Sequence, residues 1–402
     1  MKNLLKTTVC FTTMSLTAIL LPMNVMANEG EAKTITIAWT NIMESQQEIW
    51  EKYIFEPFEE KHPEVTIDFQ CLPDLQNTVR VQVAAGAGPD MFYMDSVDIP
   101  DYASTNRILS LENYRKEYNL DDSMYDWAIR SCLYEDEMYA LPASVEATAM
   151  TYNKNLLDQL GKDVPTNREE FVDVCNAALE AGLIPVSFGY SGANLLLTWP
   201  YEHYLTCYAG GEKTAQLLKG EITFDDPDIK GAFELLKADW DAGYINDKKS
   251  GAITNDEARI LFANQKAVFN YEGPWLILAD GAAKTWDFEW GQCAWPSMKD
   301  GTPAGSAITL GEAIGINANS QVSDLCMEMM MDFYSNEELM AQAVAEGFST
   351  PAVPIDSAAY PEDMDENIRK ALDAQNENMN LETVGYCLLY TSPSPRDRSV
   401  SR

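Results

Sequence analysis

The sequence predicts an α/β protein whose chain is long enough for two lobes. Strand and helix patterns alternate from residue 34 to residue 333, which is typical of sheets with helical crossovers. About 360 residues lie between an N-terminal leader and a C-terminal tail, more than one core usually covers. With 46% hydrophobic and 23% charged residues, the composition is that of a folded chain rather than a disordered one.

The segment 84–95, AAGAGPDMFYMD, is the most informative local pattern. Its alanines and glycines permit a sharp turn, and Pro89 ends the preceding helix. Residues 91–94 form a short apolar run suited to a buried parallel strand. Asp95 then stands at the carboxyl end of that strand, where open α/β sheets bind their ligands.

The elements before this segment predict that the chain begins with parallel strands joined by helices. Residues 34–39, TITIAW, form a β-branched strand, and apolar side chains at helical spacing follow over 48–58. Residues 65–69, VTIDF, alternate as a second strand, and Pro73 and Asp74 open the helix that runs into the glycine turn. The order β-α-β-α-β predicts a doubly wound sheet.

The alternation continues through the middle of the chain. Residues 139–142 and 149–152 are predicted to be strands that cross between the lobes. A helix over 154–160 is ended by Gly161, and one over 167–181 is capped by Asn167. Further predicted elements cover 228–242, 256–264, 267–270, 313–317 and 323–333. No repeat of 20–50 residues recurs, which argues against a solenoid.

Residues 1–27 are predicted to be a secretory signal peptide. Lys2 and Lys6 precede an apolar run of about a dozen residues that is too short to span a membrane. Small residues at 25 and 27 predict cleavage near Ala27. Cys10 lies too early for a lipid-anchoring motif, so we expect a protein released outside the cytoplasm.

Residues 387–402 are interpreted as an artefact of sequencing or assembly. The string CLLYTSPSPRD reads as a translated sequencing adapter, and its arginines depart from the acidic body of the chain. We therefore expect the natural C-terminus to lie beyond Tyr386.

The net charge of the chain argues against two classes of binding partner. The formal charge of −35 becomes −39 when the two lysines of the leader and the net +2 of the tail are set aside. Such a surface repels nucleic acid and anionic membranes. Neither the two histidines nor the cysteines are spaced as a metal site. Six cysteines remain after trimming, and sequence alone does not decide whether they form disulfides.

From about residue 35 to 386 the chain resembles the sugar-binding receptors of ABC importers, in the maltose/oligosaccharide-binding family. Seven segments match in the family's order: AAGAGPDMFYMD (84–95), YEDEMYALPASVEATAMTYNKNLL (134–157), LTWP (197–200), ITFDDPDIKGAFELLKADWDAG (222–243), FANQKAVFNYEGPW (262–275), GEAIGINANS (311–320) and YSNEELMAQAVAEGFSTPAVP (334–354).

The resemblance implies a two-lobe, type II periplasmic-binding-protein-like fold that closes by hinge bending on a ligand in the cleft. It implies delivery of that ligand to ABC permease subunits by a monomeric receptor, without catalysis or a cofactor. We expect one lobe over 34–142 with about 276–325, and the other over 143–275 with about 326–386.

A neutral sugar needs aromatic platforms for its C–H faces and strong acceptors for its hydroxyls. Trp275, exposed after the Gly273-Pro274 turn, is the leading platform, and the resemblance implies that it stacks on sugar. The resemblance also implies that Glu146, in the VEA context, accepts hydroxyl hydrogen bonds.

Other candidates lie at strand ends and in loops. Asp95 is an expected acceptor, Trp39 and Thr40 are expected at the cleft floor, and Gly311 and Glu312 are expected to contribute backbone and a carboxylate. Trp199 has a family counterpart, but the family's stacking aromatic falls a few residues earlier. Leu195–Leu197 occupy that stretch here, so Tyr201 or Tyr190 are the expected substitutes.

Two other functions stay open at this stage. The same fold could bind a polyamine or another small solute, since several carboxylates between aromatic walls suit a cation. A secreted glycoside hydrolase would need a pair such as Glu146 and Glu272, about 5–10 Å apart. The identity, length and linkage of a sugar ligand and the cognate permease do not follow from the sequence.

Overall fold

The structure is a computed structural model that describes residues 32–40, 42, 44–144, 148–189, 195–218, 220–245, 253–273, 276–278, 282–305 and 312–379. The expected signal peptide and the expected artefactual tail both lie outside these ranges. Both interpretations therefore stay predictions.

Eleven strands are described, most of them close to the predicted positions. They are β1 (Lys33–Thr40), β2 (Val65–Leu72), β3 (Met91–Asp95), β4 (Leu133–Tyr134), β5 (Glu137–Met138), β6 (Ala140–Pro142), β7 (Ala149–Asn153), β8 (Ile184–Ser187), β9 (Ala267–Glu272), β10 (Trp290–Cys293) and β11 (Glu312–Ile316).

Sixteen α-helices are described between and after these strands. They are α1 (Glu44–Trp50), α2 (Glu56–Lys61), α3 (Leu75–Ala84), α4 (Ile99–Ala103), α5 (Glu112–Glu117), α6 (Leu120–Ser123), α7 (Asp126–Ser131), α8 (Lys154–Leu160), α9 (Arg168–Glu180), α10 (Leu195–Tyr204), α11 (Gly211–Leu218), α12 (Pro227–Ala242), α13 (Asn255–Ala263), α14 (Ser323–Tyr334), α15 (Glu337–Glu346) and α16 (Glu366–Met379). Among the described residues, none of these helices combines the length and the apolar character that a membrane span requires.

Two mixed sheets organise the chain, as the predicted α/β class requires. The first has the order β2-β1-β3-β11-β6, with β1 parallel to both neighbours and β11 antiparallel to β3 and β6. The second has the order β10-β7-β9-β8, with only β8 and β9 parallel. The β-α-β-α-β start is confirmed, because β2, β1 and β3 are parallel neighbours.

The helix caps and the glycine turn predicted from the sequence are present in the structure. The Asn167 side chain accepts a hydrogen bond from the Glu170 backbone N–H at the start of α9. Gly161 ends α8 in the left-handed region, with φ of +66°. In the turn between α3 and β3, Gly86 and Gly88 have φ of +75° and +105°, conformations that side chains with a Cβ rarely adopt.

The larger buried core surrounds the first sheet and extends to Ala267 of β9 and Trp290 of β10, and a second core lies around the second sheet. Phe92, Trp39 and Phe58 belong to the core around the first sheet, and Tyr271 and Trp295 belong to the core around the second. All six cysteines that remain after trimming carry free thiols. Four of these thiols are buried, and Cys71 and Cys293 are half-buried.

The expected lobe boundaries need correction at the C-terminal side. The segment 326–386 was expected in the second lobe, yet its helices α14 and α15 pack in the first core, while α16 packs against β10 of the second sheet. Conversely, β10 lies within the segment 276–325 expected in the first lobe, but it pairs with β7 in the second sheet. Helix periodicity identifies an apolar face without saying which sheet that face covers, which explains the error.

Candidate functional site

The first sheet presents a common edge formed by three strand ends. The parallel strands β1 and β3 finish at Thr40 and Asp95, and the antiparallel β11 begins at Glu312. Glu312 is the direct cross-strand partner of Asp95. Directly opposed residues point to the same face of a sheet, so the two carboxyl groups are neighbours.

The second sheet has a corresponding edge. There β9 ends at Glu272, β8 ends at Ser187, and β7 begins at Ala149, which is the cross-strand partner of Glu272. Only residues 143–148 connect β6 of the first sheet to β7 of the second. The two edges are therefore joined by a short crossing segment, and this segment contains Glu146.

Asp95 is held by neutral donors. The Tyr93 hydroxyl donates to Oδ1 and the Gln76 amide donates to Oδ2, both at 2.8 Å. Burial raises the pKa of Asp95 above its ordinary value, and the two hydrogen bonds oppose that rise.

Glu312 lies in a similar environment. The Ser144 hydroxyl donates to Oε2 at 2.7 Å, and Ser144 belongs to the crossing segment. Burial raises the pKa of Glu312 to about 7, and the neighbouring charge of Asp95 adds to the rise. Within the described part of the chain, no lysine or arginine forms an ion pair with either carboxyl group. The donors to these two carboxyl groups that the structure describes are therefore all neutral.

Trp39 does not present an open face at this edge. Its side chain is only 4% exposed, and its ring lies 4.6 Å from Trp50 and 5.3 Å from Tyr93, measured between centroids. Thr40, the next residue, is half-buried at the end of β1. The structure therefore places the indole in the core beneath the strand end, and contact of either residue with ligand stays a prediction.

Tyr201 packs within the second lobe's helices. Its ring centroid lies 4.3 Å from that of Phe233 on α12, so much of its surface is used in helix packing. Trp199 lies on α10, but its side chain is outside what the structure describes. Glu146, Trp275, Gly311 and Tyr190 also lie outside the described residues, so their roles remain predictions.

A buried hydrogen-bond chain next to the crossing segment was not predicted. The Tyr271 hydroxyl donates to Thr148 Oγ1 at 3.0 Å, and Thr148 Oγ1 lies 2.9 Å from His203 Nε2. Burial lowers the pKa of His203 to about 3, so the imidazole is neutral at physiological pH. These hydrogen bonds connect Thr148, two residues after Glu146 in the crossing segment, to β9 and to α10.

The ion pair of Glu272 with Arg259 is the other finding that the sequence did not predict. Its carboxylate is 1% exposed and accepts hydrogen bonds from Arg259, with Nε 3.0 Å from each oxygen and Nη2 2.6 Å from Oε1. The guanidinium therefore occupies both oxygens. No pattern in the sequence links Arg259 to a carboxylate 13 residues later, because the pair forms through packing of α13 on β9.

Comparison with known proteins identifies the family of this chain. The family model described as bacterial extracellular solute-binding protein matches residues 43–339, which include both sheets almost entirely. The chain belongs to this family. The resemblance stated from the sequence motifs is thereby confirmed, and the family's description implies a location outside the cytoplasm.

Individual relatives are distant. The multiple sugar-binding protein of Streptococcus mutans is 24% identical over 73% of this chain and 70% of its own length. The galactooligosaccharide-binding protein of Bacillus subtilis is 25% identical over 68% of this chain and 63% of its own length. A solved chitin oligosaccharide binding protein matches with a TM-score of 0.76 at 19% identity, over 92% of this chain and 94% of that one. The structural match confirms the fold.

In this solute-binding protein, the buried carboxyl of Glu312 predicts a pH-dependent stability. The folded protein keeps a proton on Glu312 at pH values where an unfolded glutamate, with pKa near 4.5, has lost it. Stability therefore falls as the pH rises from about 4.5 to about 7. We expect Glu312→Gln to remove this loss, so that its stability relative to wild type is about 3 kcal/mol greater at pH 8 than at pH 4.5.

Urea unfolding followed by circular dichroism at both pH values measures this difference. Glu338, an exposed glutamate on α15, supplies the matched control Glu338→Gln. Equal pH dependence in wild type and Glu312→Gln would contradict the assignment of the raised pKa to Glu312.

Proposed function

We propose that this protein is the extracytoplasmic receptor subunit of an ABC importer and captures a neutral sugar or oligosaccharide. The ligand lies between the two sheet edges, and the lobes close on it by bending at the crossing segments. Aromatic rings, Trp275 first among them, stack on the sugar's C–H faces, while carboxyl groups accept its hydroxyls.

The observation that carries this proposal is the pairing of Asp95 with Glu312 at the carboxyl edge of the first sheet. Open α/β sheets bind ligands at this edge. Two partly satisfied carboxyl groups there offer free lone pairs to a ligand rich in hydroxyl groups. The names of the relatives, which include a multiple sugar-binding and a galactooligosaccharide-binding protein, agree with such a ligand.

The protein acts without catalysis in this proposal. A hydrolase of the paired-carboxylate type would need two available carboxyl groups, and both oxygens of Glu272 are occupied by Arg259. The receptor works as a monomer outside the cytoplasm after cleavage near Ala27, and its partners are the sugar and the permease subunits. Nucleic acid is not among its partners, given the charge of −35.

A thermal-shift and calorimetric screen tests the proposal. The purified protein is incubated with maltotriose, raffinose, galactobiose and N,N′-diacetylchitobiose, with spermidine as the cationic comparison. We expect at least one saccharide to raise the unfolding temperature and to be recovered unchanged, because a ligand that binds only the folded state stabilises it. Stabilisation by spermidine alone would contradict the proposal, and so would recovery of hydrolysed sugar.

A further inference from the structure

The second sheet contains an ion pair at the strand ends that adjoin the two segments predicted to carry ligand-binding residues. Glu272 is the last residue of β9, and its cross-strand partner Ala149 is the first residue of β7. In the sequence, Trp275 follows Glu272 by three residues and Glu146 precedes Ala149 by three. Three residues span at most about 10 Å, so both candidate ligand residues are tethered closely to this one cross-strand pair.

Arg259 reaches Glu272 from a helix that is itself fixed on the sheet. In the capping box at the start of α13, the Thr254 hydroxyl accepts from the Glu257 backbone N–H, and the Glu257 carboxylate accepts from the Thr254 backbone N–H. Gly189, just beyond β8, approaches so closely that a Cβ there would lie 2.3 Å from the Asn255 backbone nitrogen. Phe262 at the other end of α13 is fully buried. The guanidinium is thus presented from a rigid element.

Stability alone does not account for this pair. A buried ion pair is often matched or exceeded in stability by apolar residues of similar volume, since two charges must leave water. Its geometry is more specific than apolar packing, because the planar guanidinium engages both carboxylate oxygens at 3.0 Å or less. The geometry therefore defines the position of the end of β9.

We propose that Arg259 and Glu272 are positioning residues that hold the ends of β9 and β7 beside the crossing segment and, through these strand ends, raise the affinity for ligand. This inference rests on the proposed function for its link to ligand. Neither residue contacts the ligand in this account. Glu272 acts through the strand end, and Arg259 acts through Glu272.

Three variants separate positioning from stability. Glu272→Gln and Arg259→Gln each remove one charge of this buried pair, and we expect both to lower the unfolding temperature and to raise the Kd at least tenfold. The double variant Arg259→Met with Glu272→Leu replaces the pair by apolar contact. We expect it to recover most of the unfolding temperature but to keep a Kd at least tenfold above wild type. The Kd is measured by calorimetry at 15 °C with the saccharide that gives the largest shift in the screen.

A second buried pair in the same lobe supplies the control. Arg168 and Asp239 join α9 to α12, with Asp239 1% exposed and both contacts at 2.5 Å, and neither residue lies on a strand that leads to the crossing segments. We expect Asp239→Asn to lower the unfolding temperature and to leave the Kd unchanged. Recovery of the Kd together with the unfolding temperature in the double variant would overturn the proposal.

Amide hydrogen exchange tests the same inference without any ligand. We expect exchange at residues 145–149 and 272–276 to be at least tenfold faster in Glu272→Gln than in wild type, and unchanged there in Asp239→Asn. Unchanged exchange at these residues in Glu272→Gln would overturn the positioning role even if saccharides bind. Faster exchange with no saccharide bound by wild type would instead support the positioning role and contradict the proposed function.

Discussion

Replacing Trp39 by alanine is expected to lower the free energy of unfolding by about 3–5 kcal/mol, the range typical of buried aromatic side chains. The indole is 4% exposed and lies between Trp50 and Tyr93, so its removal leaves a cavity lined by aromatic rings. Tyr93 also donates to Asp95, and its displacement would disturb that carboxyl group as well.

Urea unfolding followed by far-UV circular dichroism measures the Trp39→Ala effect. The adjacent change Thr40→Ala is the matched control, because Thr40 is half-buried at the end of the same strand, and we expect a loss of no more than about 1 kcal/mol. A Trp39→Ala protein with wild-type stability and lost sugar affinity would show that the ring is a cleft floor rather than core.

The first half of the fold was predictable because its local signals agree with its tertiary arrangement. The strands β1, β2 and β3 were each recognised from alternating or apolar runs, and the glycine turn before β3 was recognised from Gly86 and Gly88. Periodicity, caps and glycines are properties of short segments. Where the local secondary-structure preference of each segment agrees with the fold, these patterns are sufficient to predict the order of the elements.

Long-range packing was not predictable by the same reasoning. The helices α14 and α15 fall in a segment that was assigned to the second lobe, although they pack in the first core. The pairing of Arg259 with Glu272 depends on how α13 lies against β9, which no short segment encodes. Strand-end acceptors such as Asp95 could be found because chain order places them at an edge, whereas a salt bridge between two elements could not.

The two sheet edges differ in electrostatic character, and this difference has a functional consequence. Among the described residues, the donors to Asp95 and Glu312 at the first edge are neutral, while at the second edge Glu272 is neutralised by Arg259. We therefore expect a hydroxyl-bearing ligand to find carboxyl acceptors at the first edge as well as at Glu146 of the crossing segment. We expect the second lobe to contribute chiefly the stacking surface of Trp275, whose energy depends on contact area rather than on charge.

Replacing Trp275 by alanine is accordingly expected to weaken saccharide binding by about 1–3 kcal/mol while changing the unfolding temperature of the unliganded protein little. Calorimetry with the saccharide selected in the screen measures the affinity, and a thermal scan without ligand measures the stability. Trp240, half-buried on α12, supplies the control Trp240→Ala, which we expect to bind as wild type does. If Trp275→Ala retained wild-type affinity and unfolded at a lower temperature, the ring would be structural, and the stacking contribution would have to come from another aromatic residue of the second lobe.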